Sequence, residues 1–307
     1  SVGAEKIHQH AVQATGGSNA INAHYEPLRQ VGANTRALLL SAAALDLGVA
    51  RDAMSTEDGH IIVADKRYPY GQFVQTAAGL VAPTDAPLKP QSAFRYIGRE
   101  STRVDALAKS NGSAVFGIDV DLPDMHYAVV KRSPVAGAKL VSFDASKTLV
   151  MSGVTDVIEI GSGVAVVAEQ YWQAKTAAEA LTVEWETVAL SKLNSAEIRA
   201  DYQAALAADD AVSATDDGDV EGALTAANQV LEAVYWTPYL SHAPMEPMNA
   251  VVRVQNGEAD VWSGTQGPSG AQGLVARFAG LAPERVRVHQ TYLGGSFGRP
   301  GHADPHY

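Results

Sequence analysis

The sequence predicts a mixed α/β (α+β) protein of more than one domain, on three observations. Its 307 residues exceed what one hydrophobic core usually serves, since single cores stop growing near about 250–300 residues. Hydrophobic residues make up 46% and charged residues 19%, the composition of a folded chain and not of a disordered one. Short β-branched runs alternate with Ala-rich helical stretches, which predicts sheets covered by helices.

Each element follows from a local signal. After a polar start that includes Thr15-Gly16-Gly17-Ser18-Asn19, the residues Leu28, Val31, Thr35, Leu38 and Leu39 recur near helical spacing and predict a long helix over 26–47. Asp58-Gly59 is a hairpin turn signal leading into a strand at 61–63. One short helix is expected over 70–80, and 81–90, with three prolines in ten residues, reads as a linker. Strands are expected at 125–131, 139–144, 154–160 and 164–168, then a helix at 170–181 and a strand at 182–186. The acidic stretch 191–222, with Asp209-Asp210 and Asp216-Asp217-Gly218-Asp219, lacks the spacing and terminal Glu of an EF-hand and reads as solvated helix and connector. Strands return at 230–236, 250–254, 259–262 and 286–291, with a helix over 268–280.

Charge and composition narrow the partners. Lys+Arg 23 against Asp+Glu 34 leaves a net charge of −11, which argues against nucleic acid or an anionic membrane surface as the main partner. No uninterrupted apolar stretch approaches the about 18 residues that a bilayer span needs. The chain has no cysteine, which excludes disulfides, thiolate nucleophiles, Cys-ligated zinc and a Cys-bound iron–sulfur cluster within it. The start, Ser-Val-Gly-Ala-Glu-Lys, has neither initiator Met nor signal peptide, and the end follows closely on a glycine-rich loop. A processed chain, a fragment or one piece of a split protein is the expectation.

Four segments could carry chemistry. Leu293-Gly294-Gly295-Ser296-Phe297-Gly298-Arg299 places three glycines within five residues, so several backbone N–H groups can converge on an anionic ligand, with Phe297 as a wall against a flat group. It fits neither the Walker pattern nor a dinucleotide fingerprint, and a plain glycine turn after a strand is the competing reading. Thr15-Gly16-Gly17-Ser18 is donor-rich and precedes a helix, so it either meets an anion or caps the helix. Gln266, between a strand and a helix, sits where an α/β crevice opens and carries an amide that can donate and accept; otherwise it is a turn residue. Glu246, held between two prolines, reads as a structural carboxylate bonding backbone amides ahead of a general base. His-Glu-x-x-His does not occur, no protein-ligated metal is expected, and neither is a hydrolase nucleophile elbow.

Taken in order, these segments resemble a known family. Arg95-Tyr-Ile-Gly-Arg99, the run Lys109 to Pro123 and the run Val164 to Ala174 resemble the α/β-hammerhead region of the molybdenum hydroxylases, the xanthine oxidase family. Ser241-His-Ala-Pro-Met-Glu-Pro-Met-Asn249, Gly264-Thr-Gln266 and the 293–299 loop resemble the family's first molybdopterin-binding domain. Thr15–Ser18 and Arg29-Gln-Val-Gly-Ala33 resemble a part of the second cofactor domain that the isoquinoline 1-oxidoreductase and membrane-associated aldehyde dehydrogenase group carries permuted to the front. The resemblance implies an α/β-hammerhead domain plus a molybdopterin-binding domain of the xanthine oxidase type. The implied divisions are 1–85 as the permuted part, 86–190 as the hammerhead, 191–228 as an acidic connector and 229–307 as the first part of the cofactor domain.

It further implies oxidation of an aldehyde or an N-heterocyclic aromatic, with water as oxygen source, at a molybdopterin cytosine dinucleotide carrying Mo. Electrons would leave through 2Fe-2S clusters, which need thiolates and so belong to a small iron–sulfur partner subunit. A cytochrome c subunit and the remaining part of the large subunit are further implied partners, together with the small-molecule substrate. Gln266 would serve the catalytic centre. Thr15, Gly16, Gly17, Ser18, Gly294, Gly295, Ser296, Phe297, Gly298 and Arg299 would bind the cofactor. Ser296 stands where the family has glycine, which predicts a restricted backbone there, and Pro300 stands where the close group has a second arginine. The family's catalytic glutamate and its Gly-Gln-Gly dinucleotide segment have no counterpart in these residues. The competing reading is a cofactor-free remnant that serves as an assembly or interaction domain. Location is implied as periplasmic or cytoplasmic, with the resemblance favouring the periplasm.

Overall fold

The computed structural model describes residues 12–208 and 210–301. Asp209 of the expected acidic pair and both extreme ends lie outside them. The chain forms two compact units, one from residues 1–119 with 244–307, the other from 120–243.

In the first unit, α1 (Ala20–Leu47) buries Leu39, Leu40, Ala42 and Ala43. It begins six residues before the expected start and contains Pro27, whose missing N–H leaves the Ala23 carbonyl without its helical donor. The helix stops at Gly48, whose φ of 64° is the left-handed C-cap glycine favours. A meander follows: β1 (Met54–Glu57), β2 (His60–Val63) and β3 (Lys66–Pro69) pair antiparallel in sequence order. The Asp58-Gly59 turn falls between β1 and β2, at φ of 45° and 75°. A 3₁₀ turn at Tyr70–Phe73 and α2 (Val74–Ala78) supply the short helix, and Phe73 and Ile61 are fully buried against α1. Residues 81–90 form no helix or strand. α3 (Ala106–Asn111) was not legible, being only six residues long and without a buried position.

The second unit holds a three-stranded antiparallel sheet in the order β4 (Tyr127–Lys131), β7 (Gly163–Ala168), β6 (Val154–Ile160). β5 (Leu140–Asp144) and β8 (Thr182–Trp185) make a separate antiparallel pair. β7 is central, which explains its unbroken apolar run: Val164, Val166 and Ala168 are fully buried. α4 (Tyr171–Ala180) covers the sheet with Ala174, Ala177 and Ala178, small enough to bring helix and strands close. The acidic stretch carries α5 (Ser195–Leu206), capped by Asn194 through the amides of Ala196 and Glu197, and α6 (Val220–Ala226), capped by Asp219; neither buries a residue.

The expected strand at 230–236 does not form. Its β-branched alternation supplies an apolar face, but a strand also needs a neighbour for its N–H and C=O groups. Among the described residues none pairs with it, and Val234 and Tyr235 stay 81% and 90% exposed.

The remaining elements complete the first unit. β9 (Val251–Gln255), β10 (Glu258–Ser263) and β11 (Val286–Gln290) form a sheet in the order β11-β10-β9. β9 pairs antiparallel with β10, whereas β11 pairs parallel with it. α7 (Pro268–Ala279), opened by Pro268 and closed at Gly280, makes the crossover that parallel pairing requires. Its Val275 and Ala276 pack on Ala259, Val261 and Val286, one face of the sheet. Since β10 and β11 run in the same direction, the segments that follow them, Gly264–Gln266 and the glycine loop, leave from the same edge.

Candidate functional site

Three segments far apart in sequence meet at that edge. Gln266 is their centre. The Thr15 N–H donates to the Gln266 carbonyl at 2.7 Å, and Gln266 Nε2 donates to the Thr15 carbonyl at 2.8 Å, a two-point clamp. The Ser296 hydroxyl donates to Gln266 Oε1. The Gln266 N–H donates to the Pro300 carbonyl at 3.0 Å, so the far end of the glycine loop is tied to the same residue. Thr265 Oγ1 donates to that carbonyl as well and accepts the Gly267 N–H at 3.0 Å, shaping the turn into α7.

The near end of the loop hangs from Glu246. Its Oε2 accepts the Gly294 N–H at 2.7 Å, and its own N–H donates to the Gly294 carbonyl at 3.0 Å. Oε1 accepts from the Ile118 N–H and from Asn249 Nδ2, at 3.2 and 2.9 Å. The expectation of a structural carboxylate holds, and with both oxygens occupied Glu246 is no poised base. Close approach demands glycine here: a Cβ on Gly294 would lie 2.4 Å from Glu246 Cβ, and one on Gly264 would lie 2.8 Å from the Tyr292 carbonyl.

Within the loop, the left-handed positions are Gly295, Phe297 and Gly298, at φ of 110°, 52° and 94°. Ser296 is not among them, so a side chain in place of glycine meets no backbone restriction there, against the expectation. Gly294, Ser296 and Gly298 satisfy the Gly-x-Ser-x-Gly spacing, which corrects the expectation that no nucleophile-elbow signal is present. The surroundings do not make an elbow. The loop leads into a three-residue 3₁₀ turn, Arg299–Gly301, and not an α-helix, and the hydroxyl is bonded to a carboxamide with no imidazole among its partners.

Thr15–Ser18 is not a helix cap. α1 starts after Asn19, and no side chain caps it. Gln13 reaches the first turn of α7 through its N–H and Ser269 Oγ, at 2.9 Å, which extends the clamp at Thr15. Sequence reasoning missed Val115–Ile118 as part of this assembly. Phe116 bridges Tyr292 beside the loop, Gly117 leaves room for the Asn249 side chain, and Ile118 feeds Glu246. The signal was the glycine of Val-Phe-Gly-Ile, which local patterning alone cannot connect to residues more than a hundred positions later.

The arrangement offers donors. The N–H groups of Gly295, Ser296 and Phe297, and those of Gly16, Gly17 and Ser18, carry no hydrogen-bond partner among the described residues. Gln266 Nε2 has a second N–H beyond the one spent on Thr15. Phe297 is 73% exposed, an uncovered aromatic face at the tip of the loop. Among the described residues, no three His, Asp or Glu side chains gather where they could hold a metal ion. The His302-x-x-x-His306 spacing, which the metal reading passed over, lies outside the described residues. A neutral cradle of amide donors suits an anionic ligand that brings its own metal-binding atoms, and the molybdenum–pterin group fits it on that ground. A separate groove of about 670 Å³, lined in part by Tyr25, Arg29, Phe94 and Arg99, shares no lining residue with this cluster.

A family model described as "Molybdopterin cofactor-binding domain" matches residues 204–303, a span that includes Glu246, Gln266 and the glycine loop. A nicotinate dehydrogenase subunit of Pseudomonas putida is 33% identical over 89% of this chain, and the beta subunit of isoquinoline 1-oxidoreductase of Brevundimonas diminuta is 28% identical over 94% of it. The chain therefore carries a molybdopterin cofactor-binding domain and is similar to subunits of molybdenum-dependent oxidoreductases. It spans 24% and 42% of those two relatives' own lengths. The crystal structure of quinoline 2-oxidoreductase from Pseudomonas putida 86 superposes with a TM-score of 0.51 at 21% identity, over 68% of this chain and 32% of that one, a likeness of fold. Mixed helix and sheet of this family's molybdopterin-binding type is therefore the fold class.

Proposed function

We propose that this chain forms part of the cofactor cradle in the large subunit of a molybdenum hydroxylase that oxidises an aldehyde or an N-heterocyclic aromatic, with water as oxygen source. The observation that carries the reading is the meeting of Thr15, Gln266 and Ser296, 251 and 30 residues apart, at the edge where parallel strands end. The amides of Gly16–Ser18 and Gly295–Phe297, without a partner among the described residues, would hold the anionic pterin group and its phosphates, and the second Gln266 N–H and the Phe297 ring would complete the cradle. The group supplies, when bound, the two-electron oxidation that amino-acid side chains do not provide. The chain's residues bind and orient it, and they keep the Gln266 amide in one position while substrate turns over. Glu246 spends its carboxylate on backbone amides, so the proton-accepting base comes from a part of the enzyme beyond these residues.

The cofactor we propose is the cytosine dinucleotide form. A small iron–sulfur partner would carry the 2Fe-2S clusters that take up its electrons, because a chain without cysteine has no thiolates for them, and a cytochrome c subunit in the periplasm would be the next partner. Metal analysis of the purified complex tests the reading. Near-stoichiometric molybdenum that falls on Gln266→Ala supports it. Absence of molybdenum from the intact complex favours the remnant reading instead.

A further inference from the structure

We infer that Ser296 is a positioning residue whose hydroxyl fixes the direction of the Gln266 carboxamide while it holds Phe297 in its left-handed turn. A serine hydroxyl has one proton and two lone pairs. The proton goes to Gln266 Oε1, and a lone pair accepts the Gly298 N–H at 3.1 Å. The second bond closes a serine turn around Phe297, whose φ of 52° is a conformation that aromatic residues rarely take. The first bond leaves Nε2 as the atom that faces the Thr15 carbonyl, 2.8 Å away. A flipped amide would set oxygen against that carbonyl, acceptor on acceptor, so the Thr15 carbonyl chooses the orientation and the Ser296 hydroxyl, bonded to Oε1 on the other side, holds the carboxamide in it. Of the two, only the serine hydroxyl can be removed by substitution. The proposed function is needed only for the identity of the ligand that the second Nε2 proton serves; the latch itself is a property of this chain.

Hydrogen–deuterium exchange on the full-length protein, read at the Gly298 and Thr15 amides, tests it. Ser296→Ala speeds exchange at Gly298 by about tenfold for the loss of its hydrogen bond and also speeds it at Thr15, through the loosened Gln266 side chain, and Ser296→Thr, which keeps the hydroxyl, restores both. Thr15 is the decisive probe, because a role confined to the loop moves Gly298 alone. Faster exchange at Gly298 with Thr15 unchanged, or no change at either, overturns the inference. Should Ser296→Ala also open the β6–β7 ladder of the second unit and so report misfolding, Ser296→Thr decides: protection at Thr15 equal to the native protein supports the latch, and lost protection overturns it. Molybdenum content measured on the same samples is a separate readout. A native protein without molybdenum sinks the cofactor reading and leaves the exchange result standing.

Discussion

The two donor-rich segments that meet at Gln266 are held by different chemistry. The glycine loop hangs at its near end from a carboxylate that takes the amides of Gly294 and Ile118 and the side chain of Asn249. Thr15–Ser18 is held by neutral bonds only, two to Gln266 beside the Gln13–Ser269 contact. Hydrogen bonds to an ionised group are roughly twice as strong as neutral ones. One wall of the site is therefore built into the fold, and the other is attached to it through the main chain and side chain of Gln266 and through the Ser269 hydroxyl. Gln266 is the coupling between a stiff half and a soft half.

Substitutions can break that contrast. Glu246→Ala has the largest expected effect: it strands three donors, lowers stability by about 2–4 kcal/mol and shows as a lower denaturant midpoint. A loss no larger than that of Gln266→Ala would remove the distinction between the two walls. Gly294→Ala comes next. Its Cβ collides with the root of the Glu246 side chain, not with a flexible tip, so backbone must move, at about 1–3 kcal/mol.

Gln266→Ala costs less, about 1 kcal/mol of stability, since its side-chain bonds are neutral. Its expected signature is local: faster amide exchange over residues 13–18, with the glycine loop's Gly294 amide still protected by Glu246. Loss of protection at both would mean that the halves are not independently anchored.

The smallest effect is expected on the sheet face away from α7. His289 and then Arg253, both bonded to Asp260, hold its carboxyl at about 2 against an ordinary 3.8. A folded-state value below the unfolded one means the stabilisation is complete above the unfolded value and fades as pH falls through 3.8 toward 2. Its partners Arg253 and His289 are about half exposed, so solvent screens the pairs and the contribution is modest. Asp260→Asn should flatten the acid limb of a stability–pH curve in that window and leave Thr15 exchange at neutral pH unchanged. A shift at Thr15 would show that the outer face of β10 bears on the site.

Much of the fold was legible because its signals are local. The strand Val154–Ile160 matched its expected limits, and α7 ended at the glycine that the sequence marked. Residues 230–236 show the limit of that reasoning. They resemble 286–290 in β-branched content, yet only the second run has a neighbouring strand to complete its ladder. The site was legible as parts. The glycine loop, Gln266 and Thr15–Ser18 were each visible as small, donor-rich segments, but the role of Val115–Ile118 and the anchoring of Ser296 were not, since both depend on what lies opposite.

The amino-acid order by itself determined where the backbone turns, which runs are apolar and that the chain must bind its ligand without thiolates. Those properties act over a few residues, through φ preference, periodicity and side-chain chemistry. The tertiary structure alone decided that Glu246 would grip Gly294 and that Thr15 would reach Gln266. Contacts across 48 and 251 positions arise when burial of the β9–β11 core brings strand ends to one edge, and no spacing rule along the chain encodes that meeting.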